Sequence, residues 1–147
     1  MSTREVCHFE VGGVHCAVDL KKVLEICTNP HISKAYCAPV IVSGVSNLRG
    51  SIVSIISLGQ RLGLSSSYEQ HKQKVLMVEA RKEKVGLLVD EVNAIINIES
   101  EDIDRSIRNL HGIDERCYEG VHHGGDSLLV ILDLEGILYP EEKGEAV

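Results

Sequence analysis

The apolar residues of this chain arrive in short bursts separated by turn formers, roughly every eight to twelve residues. Val6–Val11, Val14–Val18, Val40–Leu48, Ser51–Ile56, Val75–Val78, Val85–Val89, Asn93–Ile98, Tyr118–Val121 and Ser127–Leu132 are strand-length segments, most of them rich in Val and Ile. Between them stand Gly12-Gly13, Arg49-Gly50, the charged run Arg81-Lys82-Glu83-Lys84 and the tip His122-His123-Gly124-Gly125-Asp126. β-Branched side chains pack well on a pleated surface and lose rotamer freedom in helices. No strand–long helix–strand rhythm interrupts the pattern, which argues against a parallel α/β sheet and for small all-β barrels or sandwiches.

Cys7, Phe9 and Val11 fall on one face of the first strand, and Val14–Val18 returns as its hairpin partner. Asp19 is placed to cap a short helix over Leu20–Glu25, whose Leu20, Val23 and Leu24 form an apolar stripe. Asn29-Pro30 and Pro39 mark 28–39 as loop. The near-continuous apolar arm Ser51–Ile56 implies burial on both faces. Ser57 and Gln60 have capping-box spacing, and the helix they begin ends at Gly63. The Ser65-Ser66-Ser67 stretch divides the chain, and the second half repeats the texture of the first. Glu99–Glu119 reads as a polar connection over the surface, and a final short helix, Leu134–Leu138, stops before Pro140. The expected organisation is one domain of two packed barrels, about 1–66 and 67–133, followed by a helix and tail over 134–147.

The chain has 147 residues, no Trp and a single Phe, so its core must be aliphatic. Its net charge of -7 and its isolated basic pairs, Lys21-Lys22 and Arg81-Lys82, do not make the clustered cation stripe that phosphate contacts need, so no nucleic-acid partner is expected. The cysteines Cys7, Cys16, Cys27, Cys37 and Cys117 are odd in number and form no C-x-x-C pair, which points to free thiols in a reducing compartment. The first residues contain no apolar signal segment and no run approaches a membrane span, so a cytoplasmic protein without direct membrane insertion is expected. His15-Cys16 and His122-His123 are adjacent pairs that a strand points to opposite faces, so no metal is expected. Neither a nucleophile elbow nor a phosphate loop occurs, and no catalysis or cofactor is expected. Asp90-Glu91 reads as a solvated pair at a strand end.

Residues 44–64 read Gly-Val-Ser-Asn-Leu-Arg-Gly-Ser-Ile-Val-Ser-Ile-Ile-Ser-Leu-Gly-Gln-Arg-Leu-Gly-Leu. This resembles the signature of the CheW family of chemotaxis adaptors, G-V-x-N-L-R-G-x-I-V-P-I-I-D-L-R-x-R-L-G. Val23-Leu24-Glu25-Ile26, Gly86-Leu87-Leu88-Val89-Asp90-Glu91-Val92, Glu101-Asp102-Ile103 and Leu129–Leu134 are similar to further landmarks of that family, in order, over about residues 6–138. The resemblance implies two five-stranded SH3-like β-barrels packed together, with short helices. It implies a non-enzymatic adaptor that couples chemoreceptors (methyl-accepting chemotaxis proteins) to the histidine kinase CheA. The family's proline and aspartate are Ser54 and Ser57 here.

The resemblance also implies two sets of contact residues. Val23, Glu25, Ile26, Arg49, Val85, Leu87 and Val92 would form the groove for the chemoreceptor's cytoplasmic tip, with Arg49 held by Glu25. An apolar groove of this kind takes the matching stripe of a partner helix. Gly44, Asp104, Arg105, Asn109 and Gly120 would contact the regulatory domain of CheA or the next ring member. Taken as plain structure, the valines are core, Arg49 is a solvated turn residue, and the glycines are bulges.

Overall fold

A computed structural model describes residues 2–28, 30–34, 42–65, 72–124 and 127–143. Cys37, half of the expected 28–39 loop, Val40 and Ile41 of the expected 40–48 strand, Ser66, Ser67, and Gly125 and Asp126 of the last hairpin tip lie outside the described residues. The strands are β1 (Thr3–Val11), β2 (Val14–Asp19), β3 (Val23–Cys27), β4 (Val42–Leu48), β5 (Ser51–Ser57), β6 (Lys74–Ala80), β7 (Glu83–Val89), β8 (Glu91–Glu99), β9 (Ile103–Asp104), β10 (Tyr118–Gly124) and β11 (Ser127–Leu132). Two short helices, α1 (Leu58–Leu62) and α2 (Leu134–Leu138), follow β5 and β11. The all-β expectation with short helices holds. The sheets have six and five strands, because the two-residue β9 adds a rung to β10.

Strand order is β8-β1-β2-β11-β10-β9 in one sheet and β3-β6-β7-β5-β4 in the other. Each sheet curls around an interior of its own. Ile98 of β8 and Ile103 of β9, from opposite ends of the six-stranded ladder, share one buried cluster with Val6, Ala17, Leu129 and Ile131. In the five-stranded sheet, Cys27 of β3 and Leu48 of β4 pack on the cluster of Val53, Ile55, Val75, Met77 and Leu88. The largest cluster lies between the sheets, where Cys7, Phe9, Val11, Cys16 and Val18 meet Leu76, Val78, Leu87 and Val89. It is aliphatic apart from Phe9 and Tyr118, as the composition requires. Cys7 and Cys16 are buried, and burial pushes the Cys16 thiol up to about 12.

The cut near residue 66 does not separate the sheets. The hairpin β1–β2 belongs with β8–β11, and the hairpin β6–β7 belongs with β3–β5. The parallel pairs β2 with β11 and β5 with β7 are the seams. Each half of the chain is thus a repeat of hairpin, strand, hairpin and helix, and the leading hairpins are exchanged between the two sheets.

Several local expectations change. Residues Leu20–Lys22 form one 3₁₀ turn, and Val23–Cys27 is a strand. Asp19 makes no cap; its carboxylate accepts from Arg4 Nε and Nη2 at 3.1 and 2.9 Å. The edge of β6 offers a full ladder to Val23–Cys27, and that pairing outweighs a weak one-turn helix signal. β5 is buried on one face more than the other: Val53 and Ile55 point into their sheet's interior, while Ile52 is 69% exposed. Asp90 is buried, not solvated, and accepts from Gly12 N and Gln73 Nε2. The 99–119 connection contains β9 and buries Ile103 and Ile113. Ser57 does cap α1, accepting from Gln60 N, and Gly63 closes it in the left-handed conformation.

Candidate functional site

Among the described residues, three hairpins turn on two residues that both have positive φ: Gly12-Gly13, Arg49-Gly50 and Arg81-Lys82. That is the requirement of a type I′ turn, whose twist matches the strands it joins. At Arg49 (φ 53°) a non-glycine residue occupies this region, with Asn47 Oδ1 accepting from Gly50 N. The turn carries the Arg49 side chain outward, and the guanidinium reaches Glu25 Oε2 at 3.0 Å. Arg49 is 85% exposed and Glu25 31%. The pair overhangs a depression lined by Leu24, Leu48, Ser51, Val53, Met77 and Lys84, at the mouth of the five-stranded sheet.

The expected receptor-groove residues on that sheet divide between its two faces, and Val92 lies on β8 of the other sheet. Glu25 pairs with Met77, whose side chain belongs to the sheet's own interior. Val23 and Ile26 pair with Val78 and Leu76, which face the other sheet. A bulge between Val23 and Glu25 makes this division possible, because two residues of one strand oppose one of its partner there. Across the sheet, Val23, Val78, Val85, Ser54 and Val45 stand in one row of paired positions. Val23, Val85 and Val92 are half-buried against the central cluster, and Ile26 is 41% exposed. Leu87 is fully buried, so it supports this wall from beneath and presents no surface.

Two exposed isoleucines were missed in the sequence. Ile52 shares the face of Ser54 on β5, and Ile95, 56% exposed, pairs with Cys7 on the face of β8 toward the central cluster. The signal for Ile52 was present but misread, since a run without polar residues hides which face is covered. Ile95 could have been found from the polar Asn93 and Asn97 two positions either side of it.

The second set gathers at two matching irregularities. Gly44 follows a register shift in β4, beside the bridge between Ser33 and Val45, and a Cβ there would lie 2.3 Å from Ser33 O. Gly120 follows a register shift in β10, and a Cβ there would lie 2.7 Å from Asp104 O of β9. Both are glycine because another backbone passes close by. Asp104 caps its own loop by accepting from Ser106 N and Oγ. Arg105 pairs with Glu119, which also pairs with Arg4. Burial pushes the Glu119 carboxyl up, but the hydrogen bonds from Arg4 and Arg105 outweigh it and hold the group below the usual carboxylate range. Asn109 is exposed in the left-handed region.

Among the described residues, no group of three or more His, Cys, Asp or Glu is arranged to hold a metal ion, and no helix is long and apolar enough to cross a membrane. What the surface does offer is a rim ion pair, exposed aliphatic residues and paired backbone bulges. These features define a double-sheet β protein. The CheW-like domain profile matches residues 5–142. The chain is 27% identical over 138 residues to the chemotaxis protein CheW of Treponema pallidum (strain Nichols), covering 91% of this chain and 81% of that protein. It is 27% identical over 143 residues to a probable chemotaxis protein CheW of Rhizobium etli, covering 97% and 92%. The crystal structure of the scaffolding protein TtCheW from Thermoanaerobacter tengcongensis superposes with a TM-score of 0.84 at 26% identity, covering 93% of this chain and 88% of that one. The chain belongs to the CheW-like family and is a signalling scaffold of the chemotaxis type.

Proposed function

We propose that this chain is a non-enzymatic cytoplasmic adaptor that binds the cytoplasmic tip of chemoreceptors and the regulatory domain of the histidine kinase CheA, without inserting in the membrane. The observation that carries the reading is the Arg49–Glu25 pair. Arg49 is 85% exposed yet anchored by a 3.0 Å contact at a left-handed turn. An exposed ion pair contributes about 0–1 kcal/mol to stability, so an orientation this specific is better suited to recognition than to holding the fold. The guanidinium keeps donors free for a partner carboxylate or carbonyl. Behind it, Val23, Ile26, Val85 and Val92 supply apolar contact for a helix stripe, with Leu87 as support.

The kinase-side reading rests on Gly44 and Gly120. Two equivalent bulges, one per sheet, suit a ring in which each scaffold meets a neighbour on either flank. Asp104 and Arg105 lie beside the second bulge, and Asn109 stands exposed further along the same connection.

Calorimetric titration of the intact chain tests this against the CheA regulatory domain and against a receptor-tip fragment. Arg49→Ala is expected to fold normally, to bind the kinase domain like the parent, and to weaken receptor binding tenfold or more, about 1.4 kcal/mol. Equal receptor affinity of parent and variant would remove Arg49 from the site. Failure of the parent to bind either partner would overturn the adaptor reading.

A further inference from the structure

The two parallel seams place one residue of each half in equivalent surroundings. In the five-stranded sheet Ser54 of β5 pairs with Val85 on one side and Val45 on the other. In the six-stranded sheet Val130 of β11 pairs with Cys16 and Val121. Val130 is 1% exposed and lies in the central cluster, whereas Ser54 is exposed. Ser54 is the polar member of the row Val23, Val78, Val85, Ser54 and Val45. Along β5 the same face carries Ile52, 69% exposed, and Ile56, which packs against the central cluster. Among the described residues, the Ser54 hydroxyl has no hydrogen-bond partner, so solvent must satisfy it.

We propose that Ser54 sets the specificity of the receptor groove by selecting a partner helix with one uncharged hydrogen-bonding side chain (Ser, Thr, Asn or Gln) in an otherwise aliphatic stripe. The inference rests on the adaptor reading, in which a helix covers this face.

The argument is one of desolvation. A helix seated on Val23, Val85 and Ile52 expels the water that Ser54 holds when free. The hydroxyl has one donor and two acceptor sites. Covered by a partner leucine it is left unpaired, which lowers affinity about tenfold or more. Covered by an amide or a second hydroxyl it is satisfied. A hydrogen-bonding group in a groove rejects a partner without its complement far more sharply than an aliphatic surface sorts one apolar side chain from another. A charged partner group is disfavoured at this point, because the row holds no opposite charge to offset its desolvation. Charge recognition belongs to Arg49, at the mouth of the sheet's own interior.

Ser54→Thr and Ser54→Val introduce side chains of one shape that differ by the hydroxyl, and both suit a strand. Calorimetric titration with the receptor-tip fragment should find the parent and Ser54→Thr alike and Ser54→Val weaker by about tenfold. The titrations are then repeated with tip fragments whose polar residues are changed to Leu one at a time. One such change should weaken the parent and leave Ser54→Val unaffected, as a direct pair requires. Circular dichroism checks that each variant folds; if Ser54→Val does not, Ser54→Ala takes its place with the same expectation. Binding by Ser54→Val as tight as the parent's, or the absence of any coupled tip position, would overturn the proposal and leave the adaptor reading standing. Failure of the parent to bind the tip at all would overturn both.

Discussion

Between β7 and β8 there is one residue, Asp90. Its backbone N–H donates to Glu10 O, and its carboxylate accepts from Gly12 N at 2.9 Å and Gln73 Nε2 at 2.8 Å. It thereby ties the crossover between the sheets to the tip of the first hairpin, where a Cβ on Gly12 would strike Leu64 Cβ at 2.7 Å. Removing a buried acceptor strands its donors, which costs about 1–3 kcal/mol. Asp90→Ala should lower the denaturant midpoint by that amount, and Asp90→Asn, which keeps one acceptor, by less. A second carboxylate gives a pH prediction. The Arg116 guanidinium beside Asp114 holds its carboxyl down to about 2, against a partial opposing effect of burial. A depressed acid contributes stability that is full above the unfolded value of about 3.9 and lost as pH falls through the folded one. Stability should therefore drop between about pH 4 and pH 2, and Asp114→Asn should flatten that part of the curve. Asp90 shows why single residues were hard to read: adjacent acids at a strand end look solvated unless the long-range partners, here Gly12 and Gln73, are known.

At the scale of elements, neither five-residue helix could stand alone, since isolated helices this short are unstable in water. α2 is held from outside. Asp133 caps its start by accepting from Glu135 N and Gly136 N, and Arg61 of α1 donates to Gly136 O and Ile137 O at its other end. Gly136 lies so close to Arg116 O that any Cβ would overlap it. Arg81 then clasps Glu135 and stacks on Tyr139 at 4.1 Å. Charge-assisted hydrogen bonds to half-buried carbonyls contribute about 1.5–3 kcal/mol. Arg61→Ala should destabilise by that much in chemical unfolding, while Ser57→Ala, whose cap bond is long at 3.4 Å, should cost less than the usual ~1 kcal/mol. Both helices were legible in the sequence because their boundary signals are local: Ser57 with Gln60 and Gly63 for α1, and Pro140 just past the end of α2. The misread helix over Leu20–Glu25 had a local signal too, but its fate was decided by β6, fifty residues away, whose edge needed a partner.

For the whole molecule, the strands other than β3 and β9 and the signature around Arg49 were readable from residue order alone, and the exchange of hairpins was not. A repeat in sequence says that two halves resemble each other. It does not say whether each hairpin packs on its own half or on the other, because both arrangements bury the same apolar faces. Here the parallel pairings Val130 with Cys16 and Ser54 with Val85 select the exchanged arrangement. The central cluster is then made largely of the two exchanged hairpins, with Phe9, Cys16 and Val18 from one and Leu76, Val78 and Leu87 from the other. Neither half can complete its sheet alone, since residues up to 65 lack β6–β7 and residues from 72 lack β1–β2. A chain cut between Ser65 and Lys72 should therefore behave as two dependent fragments. Each alone should give the circular dichroism and exchange behaviour of an unfolded or aggregating chain. Mixed at equal concentration, they should recover a cooperative unfolding transition that depends on concentration, as for any folded state assembled from two chains. Independent folding of either fragment would mean that its hairpin can close on its own half, and that the exchanged pairing is one of two accessible arrangements.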